Sequence, residues 1–318
     1  MNKVAVSQSP WSIINRDHTR LKHNITRSAF EVWLTIWNGP RQQWIEKNIY
    51  VVDLFAGPGY CYDEKGKRES SGSPIIFLEE ILKKKQKIIG NQICIEMFLV
   101  EKDLDAFKEL KINTEKFIKD NNLRKVVKIT YYNDDCNLSI NDILYNIKKT
   151  QKRPVFFFVD PWGLQTDKET IKKIVNLPNK KDIIMNYMLE GIKRVVGVYE
   201  KVVFAHSEDL KELNTAKRLQ KFLGSAISPY QNLNQTKKHL EVLVGYCEVF
   251  NNAELNVVLF DMRHQSKNKI IYVLLHACSN NTITNVIDSI MKSEQQKNMP
   301  QRILITDAVT KKLLKKKR

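Results

Sequence analysis

The sequence lacks the features that would mark a membrane or secreted protein. None of its apolar runs approaches the roughly 18 residues that a membrane-spanning helix needs. Its first residues, MNKVAVSQSPWSII, lack the charged region, apolar segment and cleavage site of a signal peptide. We therefore expect a cytoplasmic protein that does not contact a membrane. Its 318 residues suffice for one large core with appended elements or for two modest domains.

Cysteine is scarce, and its spacing offers no cluster. The five cysteines lie far apart, and no CxxC or Cys/His group has zinc-ligand geometry, so we expect no metal site. Most are expected to be reduced thiols of the core. Cys61 lies beside a glycine turn and is the one that could be accessible and reactive instead.

Positive charge is abundant. The formal net charge is +17, and the C-terminal end KKLLKKKR, residues 311 to 318, concentrates six positive charges. Such an excess favours an anionic partner, with nucleic acid as the first candidate. The alternative is that lysine merely replaces other polar residues on solvated faces of a chain rich in Lys, Asn and Ile.

Hydrophobic periodicity predicts an α/β protein. An amphipathic helix is expected over residues 17 to 37, ended by Asn38-Gly39-Pro40. Short β-branched runs then alternate with helical segments. The predicted strands are IYVVDLF, ICIEMFLVEKD, VVKITYY, PVFFFVDPWG and DIIMNYM, and the predicted helices cover about 73 to 84, 104 to 119, 137 to 149 and 167 to 176. Five alternations predict an open, mostly parallel sheet.

The pattern changes after residue 188. Residues 189 to 250 are helical and charged, as expected of an insertion or lid. LNVVLFDM and IIYVLLHAC are joined only by HQSKNK, which is too short for a helical crossover and implies an antiparallel hairpin. Parallel α/β units closed by such a hairpin resemble the Rossmann-like class I methyltransferase fold. The expected parts are an N-terminal helical segment 1–48, a core 49–188, the insertion 189–250, a closing hairpin and helix 251–299, and a basic tail 300–318.

The stretch VDLFAGPG places an acid and a glycine turn at the end of the first strand. Gly57 and Gly59 admit positive φ and leave bare backbone where a ligand could approach the carboxyl edge of the sheet. No P-loop Lys-Ser/Thr pair follows, which disfavours a triphosphate. Asp53, before the turn, suits an amine. The alternative is a tight turn that binds nothing.

S-adenosylmethionine suits this pattern, since its methionine part is zwitterionic and its sulfonium is cationic. Glu101, at the end of the second strand in FLVEKD, is where a carboxylate would accept from ribose hydroxyls. Asn133-Asp134-Asp135, after the third strand, could contact an adenine amino group, although it is also ordinary turn chemistry.

The fourth strand ends in DPWG. This stretch resembles the Asp-Pro-Pro-aromatic motif of methyltransferases that act on exocyclic amino groups, in which the acid and an adjacent carbonyl accept the amine hydrogens and the ring stacks on the base. Trp162 replaces the second proline and Gly163 the final aromatic residue, which leaves the target atom open. The alternative is a strand-ending turn with a packed Trp162.

The ordered set HTRLKH, VDLFAGPG, GSP, VEKD, DPWG, IIMNYM and YVLLHACSN resembles the three-Cys-motif partner proteins, a bacterial family of methyltransferase-like proteins often encoded beside a three-cysteine-motif protein. The resemblance covers most of residues 17 to 292 and is weakest over 200 to 250. It implies an S-adenosylmethionine-type fold and a three-cysteine-motif protein as partner. The predicted cofactor contacts are Asp53, Phe55, Gly57, Gly59, Glu101, Lys102, Asp134 and Asp135, and the predicted catalytic residues are Asp160, Pro161 and Trp162.

Two functions follow from these residues. In the first, the protein is an S-adenosylmethionine-dependent methyltransferase of a nucleic-acid base, RNA or DNA, with an exocyclic amino group as the target. In the second, it is a non-catalytic, methyltransferase-like subunit that binds nucleic acid or another modification or defence protein.

Overall fold

A computed structural model describes residues 17–39, 48–62, 66–148, 153–204, 206, 208–224, 235–263 and 270–298. The loop HQSKNK and the basic tail lie outside these residues. Within the described part of the chain, no helix is both long and apolar enough to cross a membrane.

The described residues contain ten helices and nine strands, which we number in chain order. The helices are α1 Asp17–Trp37, α2 Ser73–Lys83, α3 Lys85–Gly90, α4 Leu104–Asp120, α5 Cys136–Lys148, α6 Lys168–Val175, α7 Leu189–Phe204, α8 Leu210–Leu223, α9 Gln235–Asn252 and α10 Asn281–Asn298. The strands are β1 Asn48–Asp53, β2 Tyr60–Tyr62, β3 Arg68–Ser71, β4 Cys94–Val100, β5 Val127–Tyr132, β6 Val155–Val159, β7 Lys181–Tyr187, β8 Asn256–Arg263 and β9 Ile270–Cys278.

Seven strands form one sheet in the order β5-β4-β1-β6-β7-β9-β8. β1 is parallel to both β4 and β6, and β4 is parallel to β5, because each connection contains a helix that carries the chain back across the sheet. β8 and β9 are antiparallel. This topology confirms the predicted Rossmann-like class I methyltransferase fold, including the closing hairpin.

The chain forms two compact units: Met1–Val159 with Asn179–Asp182, and Asp160–Pro178 with Ile183–Arg318. In the first unit, every residue of β6 is buried, as expected for a parallel strand covered on both faces. An aromatic cluster of Phe30, Trp33, Phe77 and Phe156 packs α1 and α2 against this strand, with ring centroids 4.7 to 5.7 Å apart.

The second unit has an aromatic cluster of its own. The rings of Phe222 and Tyr246 are stacked at 4.8 Å, and Tyr187 lies 5.2 Å from Tyr246. These contacts pack α8 and α9 on the end of β7. Asp209 caps α8, since its side chain accepts from the N–H groups of Lys211 and Glu212.

Sequence periodicity missed three short elements. β2 and β3 pair within the charged loop after the glycine turn, where the Arg68 guanidinium lies 3.5 Å over the Tyr60 ring. α3 follows α2 after a single residue, Lys84. Elements of three to six residues contain too few repeats for a periodic pattern, and contacts made after folding define them.

Candidate functional site

The end of β1 forms the predicted glycine turn in the first unit. Asp53 is completely buried, and its Oδ1 accepts a 3.1 Å hydrogen bond from the N–H of Phe55. Gly57 and Gly59 have φ of +60° and +89°. A Cβ on Gly59 would lie 3.5 Å from the Asn113 Cβ, an ordinary contact, so the left-handed backbone rather than lack of room requires glycine there.

Glu101, at the end of β4, is joined to this turn. It is 5% exposed, and its Oε2 accepts from the N–H of Gly57 at 2.9 Å. Its Oε1 accepts from the N–H of Asp103 at 2.8 Å. Burial raises the pKa of Glu101, and the two backbone donors oppose that rise without cancelling it. The acid therefore holds the glycine turn and the start of α4 together, and each oxygen retains lone-pair capacity for a ligand.

The loop after β5 is braced against the same edge. Nδ2 of Asn133 donates to the carbonyls of Glu101 at 2.9 Å and Lys102 at 3.2 Å. The exposed Lys102 ammonium forms a 3.1 Å ion pair with Asp135. Partial burial alone would raise the pKa of Asp135, but hydrogen bonds from the Asn137 N–H and from Lys102 lower it below its ordinary value. Asp134 remains exposed.

This edge of the first unit thus brings together the predicted cofactor residues of β1, β4 and the loop after β5. The group is rich in carboxylates, two of them buried, and Lys102, its cation, is already paired with Asp135. These acceptors fit a ligand that carries an amine, hydroxyls and a positive charge, as S-adenosylmethionine does. They do not fit a polyphosphate, which would need backbone and lysine donors.

In the second unit, the residues after β6 form a separate polar site. Asp160 is half-buried, and its Oδ1 accepts a 2.9 Å hydrogen bond from Nδ2 of Asn186. Pro161 is buried, whereas the indole of Trp162 is 63% exposed. The backbone N–H of Trp162 donates to Oε1 of Gln165 at 2.9 Å, which fixes the turn. The alternative of a packed Trp162 is therefore wrong.

Asn186 is the residue of this site that sequence reasoning did not assign. It is a buried amide in the apolar strand β7, and its Oδ1 makes no hydrogen bond in the described part of the chain. A polar residue that interrupts the run IIMNYM was the available signal. Tyr272 is a further neighbour of the carboxylate: burial and then the negative charge of Asp160 raise the pKa of this phenol.

The five cysteines are thiols, and Cys61 is buried rather than accessible. Burial also raises the pKa of Cys94, which disfavours its reactive thiolate. The expectation of core thiols is confirmed for Cys136, Cys247 and Cys278, the expected exception Cys61 is buried too, and Cys94 is only half-buried.

The sheet is mostly parallel and is closed by an antiparallel hairpin, and the glycine turn after β1 is linked to the acid at the end of the adjacent strand β4. These features define a class I methyltransferase-like fold. No family model and no curated protein matches the chain, so membership of the three-Cys-motif partner family stays a prediction.

Solved structures of methyltransferase domains show a distant likeness. The methyltransferase domains of bacterial CtHen1-C and CtHen1-CN are 13% and 10% identical to this chain, with TM-scores of 0.39 and 0.38. Each match covers 82% of this chain, and 97% and 100% of the respective solved chain. YjhP from E. coli is 7% identical with a TM-score of 0.29, over 80% of this chain and 92% of its own.

Proposed function

We propose that this protein is an S-adenosylmethionine-dependent methyltransferase that acts on an exocyclic amino group of a nucleic-acid base. The observation that supports it best is the end of β6, where Asp160 is held by Asn186 beside the exposed Trp162. An exposed indole offers a face on which a base can stack, which contributes about 1–3 kcal/mol for a base on an aromatic side chain. A carboxylate next to it would accept the hydrogens of the base's amine.

The chemistry demands little beyond orientation. S-adenosylmethionine would supply a methyl group on a cationic sulfonium. Asp160 would accept a hydrogen bond from the amine and turn its lone pair toward the methyl carbon. On transfer, the amine nitrogen would take the methyl group from the sulfonium, which would leave as a neutral thioether, and Asp160 or water would accept the proton that the cationic nitrogen loses. The negative charge of Asp160 stabilises that developing cation.

For the cofactor, we assign contacts to the residues of the first unit. Asp53 would accept from the ammonium, and Glu101 would accept from the ribose hydroxyls. Phe55, Gly57 and Gly59 would line the path of the bound molecule, and Asp134 would contact the adenine amino group. Lys102 and Asp135 pair with each other, so their proposed role is to fix the loop that carries Asp134.

The nucleic-acid substrate is supported by the net charge of +17 and by the basic end of the chain, residues 311 to 318. RNA and DNA share the chemistry that this charge recognises, so the test includes both. A cytoplasmic location and a three-cysteine-motif partner remain proposals from the sequence.

The deciding experiment measures S-adenosylmethionine binding by calorimetry and then transfer of labelled methyl groups to total RNA and to total DNA. The protein should bind the cofactor and label one of the two. Asp160→Ala should abolish transfer and leave cofactor affinity nearly unchanged, since this side chain would meet only the substrate amine. Nucleic-acid binding without any cofactor binding or transfer would instead identify a non-catalytic subunit.

A further inference from the structure

A small basic cavity lies in the first unit, at the C-terminal end of α1 and the junction of α2 with α3. Its volume is about 260 Å³. Three of its six lining residues are lysines, and the others are polar: Thr35, Asn38, Lys83, Lys84, Gln86 and Lys87. The cavity contains none of the residues assigned to the cofactor or to the amine.

The lysines of this cavity keep donors for a ligand. Lys83 pairs with the buried Glu80 at 2.7 Å, and Lys84 lies 3.5 Å from the exposed Glu31. Lys87 forms no ion pair within the described ranges. An ammonium has three N–H donors, so a single carboxylate partner does not exhaust Lys83 or Lys84.

The four lysines of KKKQK, residues 83 to 87, do not all line the cavity. Lys85, in the middle of the run, is not among the lining residues and donates to the carbonyl of Asn121 at 3.0 Å. The other three lysines of the run line the cavity. A run of lysines on a solvated helix would not by itself indicate a site, so a second observation is needed.

Asn38 provides that observation. It is 1% exposed, and its carbonyl and its Oδ1 both accept from Nδ2 of Asn91 at 2.8 Å. Its own Nδ2 is buried and has no acceptor among the described residues. Buried amide donors are nearly always hydrogen-bonded, so an unmatched donor on a residue that lines a cavity is one that a bound acceptor could satisfy.

We infer that this cavity binds a phosphate group. A phosphate presents several acceptor oxygens and at least one negative charge, which matches three ammonium groups and one buried amide donor. Glu31 and Glu80 offset two of the lysines, so the site suits one phosphate rather than a polyphosphate. The phosphate could belong to a nucleic-acid backbone or to a small phosphorylated molecule, and the inference does not depend on methyl transfer.

The first test is titration of the full-length protein with inorganic phosphate while the side-chain amide signals of Asn38 are followed by NMR. These signals should shift with saturation. Lys87→Gln and Asn38→Asp should each weaken binding by about tenfold, since each removes a charge-assisted or buried donor. Lys125→Gln removes one charge from an exposed turn of the same unit and should change affinity by less than about twofold.

The second test identifies the source of the phosphate. With a 20-nucleotide oligonucleotide, Lys87→Gln should reduce the slope of log affinity against log salt by roughly 0.7–0.9 if the cavity holds a backbone phosphate. An unchanged slope together with lost phosphate binding assigns a small phosphorylated molecule. Absence of phosphate binding in the wild type, or an equal loss in Lys125→Gln, overturns the inference. Because Lys87 is exposed, its variant remains folded and decides the question even if Asn38→Asp does not fold.

Discussion

The backbone N–H of Gly57 donates a 2.9 Å hydrogen bond to Oε2 of Glu101, 44 residues further along the chain. β1 and β4 are adjacent parallel strands with Asp53 paired to Leu99, so the turn after one strand meets the acid after the other. The bond gives Glu101 a structural role besides the proposed contact with ribose.

Glu101→Ala should weaken S-adenosylmethionine binding. The variant loses a charge-assisted acceptor for the ligand, worth about 1.5–3 kcal/mol, and it releases the N–H of Gly57 that keeps the turn in place. Calorimetry measures the change as a fall in affinity of about tenfold or more. Glu96→Ala is the matched control, because Glu96 lies near the opposite end of the same strand, where its Oε1 accepts from Nδ2 of Asn48. Equal affinities for wild type and a folded Glu101→Ala would contradict this placement of the cofactor.

The buried Glu101 also predicts a direction for stability against pH. Because burial raises its pKa in the folded chain above the ordinary 4.5, this group stabilises the fold most below about pH 4.5. That contribution is lost as pH rises through the folded value. Urea unfolding of the wild type and of Glu101→Gln, from about pH 4 to about pH 7, should show the wild type losing stability relative to the variant. If the wild type instead gained stability relative to Glu101→Gln over that pH interval, the backbone donors to Glu101 would outweigh its desolvation.

Asn186→Asp should move the pH dependence of methyl transfer upward. It places a second carboxylate where the Asn186 amide now lies 2.9 Å from Asp160, and the charge of one carboxylate disfavours ionisation of the other. If transfer needs an ionised Asp160, its acidic limb should shift up by at least about one pH unit. A merely structural role for Asn186 would lower the rate equally at all pH values.

The control for Asn186→Asp is Asn176→Asp, an equivalent change at the exposed end of α6 in the same unit. It should leave the pH profile where it is. Asn186→Ala complements both, because it removes the donor to Asp160 without adding charge. It should reduce kcat more than it changes KM for the nucleic acid, as expected of a positioning residue.

Trp162→Ala should weaken substrate binding without loss of stability. The ring is 63% exposed, so its removal opens no cavity, whereas a stacked base would lose about 1–3 kcal/mol. Oligonucleotide affinity should fall by between about fivefold and 150-fold, and Trp162→Phe should restore most of it. Leu210→Ala, at an exposed apolar residue of the same unit, should have no effect. A drop in melting temperature without a change in affinity would show that the ring serves packing instead.

Local patterns alone determined the alternation of strands and helices. The buried run VFFFV and the amphipathic stretch over residues 17 to 37 are readable because their apolar period reflects a single buried face. The short connection between β8 and β9 likewise permits only an antiparallel pair. Strand ends then locate Asp53 and Glu101, since adjacent parallel strands leave their last residues at one edge.

Only the tertiary structure decided what each polar group binds. Glu101 meets Gly57, Lys102 meets Asp135, and Asn186 meets Asp160 across separations of 44, 33 and 26 residues. The exposure of Trp162 and the unmatched amide of Asn38 are likewise invisible in the sequence. The physical reason is that periodicity reports which face of an element is buried. A hydrogen-bond partner depends instead on how far each crossover carries the chain and on which strands become neighbours in the sheet.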